Sequence, residues 1–303
     1  MSIALSTAWA PKGAARLGKV LAAGRKIGFK AFELGVSRVP LDLDAATDAV
    51  ERGRGEIGSV HAVCTEEEVP AAACRGDWVA EPDELLRREG VRLAKASIDS
   101  ARRVGARAVV LHGGALPLPD ARRFQYEMYR LISRGGTVAD CRPVLDRLRS
   151  DRAALAPPYL RALQASLAEV CEYAGDLLIG LENRYYLSEL PQGDEFAELF
   201  DRVAAPNLRY WHDVGHAHVL DRIGFVRHLE LLERYGPRLA GMHLHDIHGF
   251  EDHRPPGTGE FNFAALTDFL RPDTLCVMEI SDGHPARAVK RGRKHLANVY
   301  GIE

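Results

Sequence analysis

Short apolar runs alternate along this chain with longer stretches whose apolar residues recur every three or four positions. The first run is Ile3 to Thr7. A helical stretch follows from Ala14 to Gly28, with Leu17, Val20, Leu21 and Ile27 on one face. Further runs cover Lys30 to Gly35, Ile57 to Val63, Ala106 to Gly114, Asp176 to Arg184, Asn207 to Gly215, Leu239 to Asp246 and Thr274 to Ser281. Helices are predicted over Asp83 to Val104, Gly193 to Val203, Leu220 to Gly236, Phe263 to Leu270 and Pro285 to Tyr300. Strand then helix, eight times over, predicts an α/β fold: a (β/α)8 TIM barrel forming one domain over residues 1–303. A doubly wound open sheet fits less well. No G-x-G-x-x-G follows the first strand, and no segment is left over for a second domain.

The alternation breaks once, at Ala115 to Ala174, a predicted helical insertion after strand 4. Its pattern gives helices in Asp120 to Gly136, Thr137 to Leu155 and Tyr159 to Ala174. The insertion leaves the barrel at the face where strands end, so a lid or substrate wall is expected there as readily as surface decoration or a dimer contact. Arg122, Arg123 and Tyr126 are its candidate substrate contacts.

Barrel chemistry resides at the C-terminal ends of the strands. Here the apolar runs close on Glu33, His61, His112, Glu182, Asp213, His243 with His245, and Glu279, and His216 lies one turn beyond Asp213. Unpaired charges are costly in a core. Inward side chains converge as a sheet closes, so these groups can meet around one point. A divalent cation held by Glu182, Asp213, His243 and Glu279 accounts for them economically. His61, His112, His216, Glu251 and His253 are candidates for further metal or substrate contacts. Glu251 and His253 alternate in sequence and are expected to face the same way. Arg254 is a candidate clamp on an anionic or hydroxyl-rich ligand, and Glu33 a candidate ligand, substrate contact or salt-bridge partner. His212 has the opposite strand parity to Asp213 and should face the helices. His218 is expected on a solvated helix.

Composition narrows the field. The net charge of −2 gives no overall positive field to draw the chain to nucleic acid or an anionic membrane. Five scattered cysteines without a C-x-x-C point to reduced thiols and a cytoplasmic protein. The start lacks a secretory signal pattern, and no run reaches the ~20 apolar residues of a membrane span. Eight of the twelve histidines fall between His212 and His253, mostly at strand ends, which supports a site there. No lysine closes a strand, which argues against a Schiff-base aldolase, and there is no G-x-S-x-G.

Around these residues the sequence resembles the xylose isomerase-like barrel superfamily, which holds sugar and sugar-phosphate isomerases and epimerases together with endonuclease IV. The resemblance runs nearly end to end, apart from most of Ala115 to Ala174. "GLEN", "HDVGHA", "GMHLHD" and "PPGTGEFNF" carry it. In the epimerase branch it implies one metal on Glu182, Asp213, His243 and Glu279, the two glutamates as acid–base pair, and Arg254 and His216 on the substrate. In the endonuclease IV branch it implies a trinuclear zinc cluster. His61, His112, His216 and His253 match that fuller set, with Glu251 where the branch has an aspartate.

The expectation is therefore a divalent-metal-dependent isomerase or epimerase of a sugar, sugar phosphate or related hydroxy-ketone. It would use one Mn, Mg or Zn ion, and two or three ions are the alternative count. Its partner would be a small molecule, with a homo-oligomer left open. The alternative activity is a multinuclear zinc phosphoester hydrolase on a small phosphodiester, and the remoter one is a metal-free binding protein.

Overall fold

Every barrel strand presents alternate side chains to two different interiors, and that alternation positions the site. The computed structural model describes residues 2–10 and 16–302. In chain order the strands are β1 (Ile3–Ser6), β2 (Ala31–Leu34), β3 (Glu56–His61), β4 (Ala108–Leu111), β5 (Leu178–Glu182), β6 (Leu208–Asp213), β7 (Leu239–His243), β8 (Asp246–His248), β9 (Glu251–Arg254) and β10 (Leu275–Met278). β1 to β7 and β10 close a parallel barrel in the order β1-β10-β7-β6-β5-β4-β3-β2. All eight predicted strands are in it. β8 and β9 form a separate antiparallel hairpin that the sequence pattern did not announce.

The helices are α1 (Leu17–Lys26), α2 (Leu43–Glu51), α3 (Ala71–Cys74), α4 (Glu84–Val104), α5 (Ala121–Ser133), α6 (Val138–Ala174), α7 (Glu195–Val203), α8 (Val214–Arg222), α9 (His228–Tyr235) and α10 (Ala286–Tyr300). The expected start of the first helix at Ala14 lies outside the described residues. Three other boundaries differ from the pattern. Leu220 to Gly236 splits into α8 and α9, because Gly224 takes a left-handed φ of 77° and stops the first of them. Phe263 to Phe269 is 3-10 rather than α. The expected breaks at Thr137 to Leu155 and Tyr159 to Ala174 vanish into α6, which runs through Pro157 and Pro158. Those prolines each remove a helical hydrogen bond. Buried Arg152 and Ala156 before them and Leu163 after them hold both halves in place; Arg152 bonds Glu195 at 2.5 and 3.0 Å and the Leu187 carbonyl at 2.7 Å.

The large apolar layer lies between strands and helices, built from outward residues such as Val60, Val109, Leu181, Tyr210 and Met278. The barrel interior is a smaller cluster of Ala4, Ala31, Ala108, Val110, Val277 and Trp211. Trp211 fills it. A Cβ at Gly180 would lie 2.9 Å from the indole, and one at Gly241 would collide with it, so glycine on the strands flanking β6 admits the ring. A third cluster, including Met128, Tyr129, Leu145, Leu187 and Leu220, joins α5, the first part of α6, the β5–α7 loop and α8 above the strand ends. Among the described residues no helix is long and apolar enough to cross a membrane.

Candidate metal centre and active-site cavity

One inward residue per strand carries the polar chemistry. Above Trp211, whose ring lies 5.2 Å from that of His243, the ligand atoms of Glu182, Asp213, His243 and Glu279 all fall within 4.8 Å of one another. All four are buried. His243 stands at the centre. Its Nδ1 lies 2.6 Å from Glu182, 3.2 Å from Glu279 and 3.8 Å from Asp213. Three carboxylates around one imidazole call for a cation. Burial works against a charged His243, yet Glu279, Glu33 and Glu182 outweigh it and hold its pKa well above the ordinary histidine range. Burial likewise opposes ionisation of Glu182 and Glu279. Glu182 is nevertheless held well below the usual carboxylate range by His112, His243 and Arg184, and Glu279 by His243, His253 and His61. The donor set is oxygen-rich with one imidazole, which fits a divalent ion such as Mn, Mg or Zn.

The neighbouring groups fix the orientation of these ligands. His243 Nε2 is 3.2 Å from both oxygens of Glu33, which itself accepts from Ser59 Oγ at 2.8 Å. Glu33 is fully buried behind His243. There it orients His243 with Nδ1 toward Glu182, and with His61, His243 and Glu279 it forms a further group able to hold an ion. Asp213 caps α8 by accepting from His216 N at 2.7 Å. His245 Nε2 reaches both Asp213 oxygens at 3.0 and 3.1 Å, while its Nδ1 accepts from His253 N at 2.9 Å. Asn183 accepts from Asp213 N at 2.8 Å and donates to the Asp213 carbonyl at 2.9 Å. The Asn183 carbonyl accepts from His216 Nδ1 at 2.9 Å, which leaves the His216 Nε2 lone pair facing the mouth.

Beside the central set, Glu33, His61, His243 and Glu279 form one further group and Asp213, His245 and His253 another, and two smaller sets flank the centre. On one side stand His61, His112 and Glu182. His61 Nε2 is 2.8 Å from His112 Nε2, and His112 Nδ1 donates to the Arg75 carbonyl at 3.1 Å. Burial, with Arg184 beside it, pushes His112 down to about 4. His112 Nε2 also lies 3.1 Å from Glu182 Oε2, and the buried His61 Nδ1 is 3.5 Å from Glu279. On the other side stand His216, Asp252 and His253. Burial disfavours a charged His253, but Asp252 at 3.0 Å and Glu279 at 3.5 Å raise its pKa well above the ordinary range.

Glu251 is absent from this second set. Its side chain is 79% exposed and pairs with Arg254 at 3.3 Å. Strict alternation would turn Glu251 and His253 the same way, but His253 has φ 54°, which breaks the alternation and brings Asp252 in instead. Arg254 is likewise turned toward Glu251 and does not line the cavity. Asp246 holds the following loop by accepting from five backbone amides: Ile247, Gly257, Thr258, Gly259 and Phe261. From the insertion, Arg122 lies 4.2 Å over the Tyr186 ring and Tyr126 bonds the Tyr186 hydroxyl at 3.0 Å. Arg123 pairs with Asp120 and Glu127 at the surface. These contacts brace the β5–α7 loop, and none of the three residues lines the cavity.

The sequence reading passed over Arg184, Asn183 and Asp252. Arg184 is two residues beyond Glu182, so strand parity extended by one step would have found it. Asp252 required the backbone twist at His253.

The site opens into a cavity of about 490 Å³. Its floor holds His61, Glu182, His216 and Glu279, and Arg38, Arg75 and Arg184 stand at its sides. That size suits a small molecule.

A family model described as a xylose isomerase-like TIM barrel matches residues 21–299. The chain belongs to this family. Its barrel is similar to that of 3-keto-D-glucoside 4-epimerase from E. coli, at 16% identity over 98% of this chain and 99% of that one, with a TM-score of 0.66. It is also similar to D-allulose 3-epimerase from Methylomonas sp., solved with D-allulose, at 16% identity over 100% and 97% of the two chains, TM-score 0.68. An L-ribulose 3-epimerase matches at 17% identity over 99% and 95%, TM-score 0.69. No curated protein matches the chain in sequence. At these identities the solved structures speak to the fold.

Proposed function

We propose that this family member is a divalent-metal-dependent isomerase or epimerase of a sugar, sugar phosphate or related hydroxy-ketone. The observation that carries the reading is the buried central set, in which two glutamates from different strands, Glu182 and Glu279, approach one point from two sides. Glu182, Asp213, His243 and Glu279 would hold the ion. When bound, it would polarise the substrate carbonyl and stabilise the charge that develops as the neighbouring proton leaves. Glu182 and Glu279 line the cavity and are both held ionised, so each can accept that proton or, once it carries it, return it. His216 and His61 also line the cavity, where their ring nitrogens can hydrogen-bond substrate hydroxyls. The epimerases that share the fold support the same class of small, hydroxyl-rich occupant.

Exchange of the substrate α-proton with solvent deuterium tests the reading directly. A panel of ketoses and ketose phosphates should include one that exchanges in the metal-loaded protein, and Glu182→Gln and Glu279→Gln should each stop it. Exchange that persists in both variants would end the proposal. The two flanking sets favour a second reading, a phosphoester hydrolase with two or three zinc ions, in which His61, His112, His216, Asp252 and His253 are also ligands. Elemental analysis of the loaded protein separates the two.

A further inference from the structure

We infer that Arg184 is a built-in cation that closes the His61–His112–Glu182 set to a second metal ion and limits this flank of the site to the central one. The inference rests on the metal-dependent reading above and concerns how many ions it uses. Glu182 has two carboxylate oxygens with different tasks. Oε1 faces His243 at 2.6 Å and belongs to the central set. Oε2 faces the flank and is the oxygen that His112, at 3.1 Å, and His61, at 3.9 Å, would share with a second ion. Arg184 Nη1 already sits 2.5 Å from Oε2. The guanidinium is buried, and its Nη2 reaches Glu189, also buried, at 3.2 Å. A fixed positive charge between two buried carboxylates leaves that pocket balanced without a further cation, and a dication drawn to the same oxygen would face the guanidinium at close range.

The two histidines provide a second, independent observation. An ion in this flank would need a lone pair from each ring, yet the rings bond each other through their Nε2 atoms at 2.8 Å. One of those nitrogens therefore carries a proton and donates to the other. His112 keeps its Nδ1 on the Arg75 carbonyl, so it cannot turn the other edge inward without breaking that bond. The flank is wired internally, whereas the central set gathers three carboxylates on one imidazole.

Elemental analysis of the zinc- or manganese-loaded protein tests this. Wild type and Arg184→Lys, which keeps the charge, should each retain a single ion on the central and His112 side. Arg184→Met paired with Glu189→Gln, which avoids stranding a buried carboxylate, should gain one ion per chain. His112→Ala in that background should remove the added ion and leave the others. A His112→Ala change that strips an ion from the otherwise wild-type protein, or an Arg184→Met/Glu189→Gln protein that folds by thermal melt yet gains no ion, would overturn the inference. Deuterium exchange distinguishes its failure from failure of the isomerase reading. A protein with the expected counts that exchanges no ketose proton keeps the role of Arg184 and loses the reaction; a protein that exchanges but fails the counts does the reverse.

Discussion

Two pairs of histidines within residues 212–253 behave in opposite ways. At the barrel mouth, His243 and His253 stand among Glu33, Glu182, Glu279 and Asp252, and their pKa values are driven up. On the outer side of β6, His212 and His228 are packed against aromatic rings and each other. Phe261 stacks on His228 at 4.9 Å, and the two imidazoles meet Nε2 to Nε2 at 3.0 Å. Burial, with no carboxylate in contact, pushes His212 down to about 3 and His228 well below the ordinary range. Parity decides which group a residue joins. Asp213 points in and His212 points out, so one step along β6 separates the acidic cluster at the mouth from an apolar layer. The outer pair is still connected to the mouth. His212 Nδ1 is 2.8 Å from the Tyr210 hydroxyl, which donates to Asn183 Oδ1 at 3.1 Å, the same atom that holds Asp213 N. Burial alone therefore does not mark a functional histidine; its neighbours' charges do.

The largest expected effect belongs to the mouth. Glu182→Gln and Glu279→Gln should each lower kcat/KM for proton exchange by about 10²–10⁴-fold, while His228→Leu on the outer side should leave it within a few-fold. Equal losses from both regions would erase the distinction. Next in size is stabilisation by metal. At a hundredfold excess over Kd, manganese or zinc should stabilise the fold by about 2.7 kcal/mol in thermal melts. His243→Ala should abolish that gain and His228→Leu should retain it. Absence of any gain with every divalent ion would favour a metal-free binding protein.

The barrel could be read from the sequence because each strand ends its apolar run on a polar residue, and the central cluster of Glu182, Asp213, His243 and Glu279 could be read because those residues share one parity. What escaped depended on single backbone angles or on packing at a distance. Glu251 seemed the partner of His253 by spacing, yet one left-handed residue exchanged it for Asp252. The pattern gave separate helices ending at Leu155 and starting at Tyr159, but tertiary anchors on either side carry α6 through Pro157 and Pro158. Glu33 ended a strand like the others and was taken for a ligand, a substrate contact or a salt-bridge partner. Only the three-dimensional arrangement shows its carboxylate on His243 Nε2, with the other nitrogen of that ring on Glu182. That placement carries the third prediction. Glu33→Gln should weaken metal binding by about 10–100-fold by loosening the orientation of His243, with little change in exchange rate once the protein is saturated with ion. A loss confined to the rate at saturating metal would return Glu33 to the substrate.

The smallest effect separates the two regions by the sign of their pH dependence in the metal-free protein. His212 and His228 have folded-state pKa values below the unfolded value of about 6.5. Their neutral forms suit the fold, so the stability they contribute is present above pH ~6.5 and is lost as pH falls toward about 3 for His212, with a slope of at most about 1.4 kcal/mol per pH unit for each proton. His243 and His253 have raised values, so their contribution is present below pH ~6.5 and is lost as pH rises through the folded-state values. His228→Leu removes one neutral imidazole and leaves His212 Nε2 without its partner, which should destabilise the protein by about 1–3 kcal/mol at pH 7.5. The same substitution should flatten the acid side of the stability curve, since one fewer proton is taken up on unfolding. Urea titrations from pH 5 to 8 read both effects. An acid limb as steep in His228→Leu as in wild type would mean that the outer pair does not titrate on unfolding, and the contrast would then rest on the mouth histidines alone.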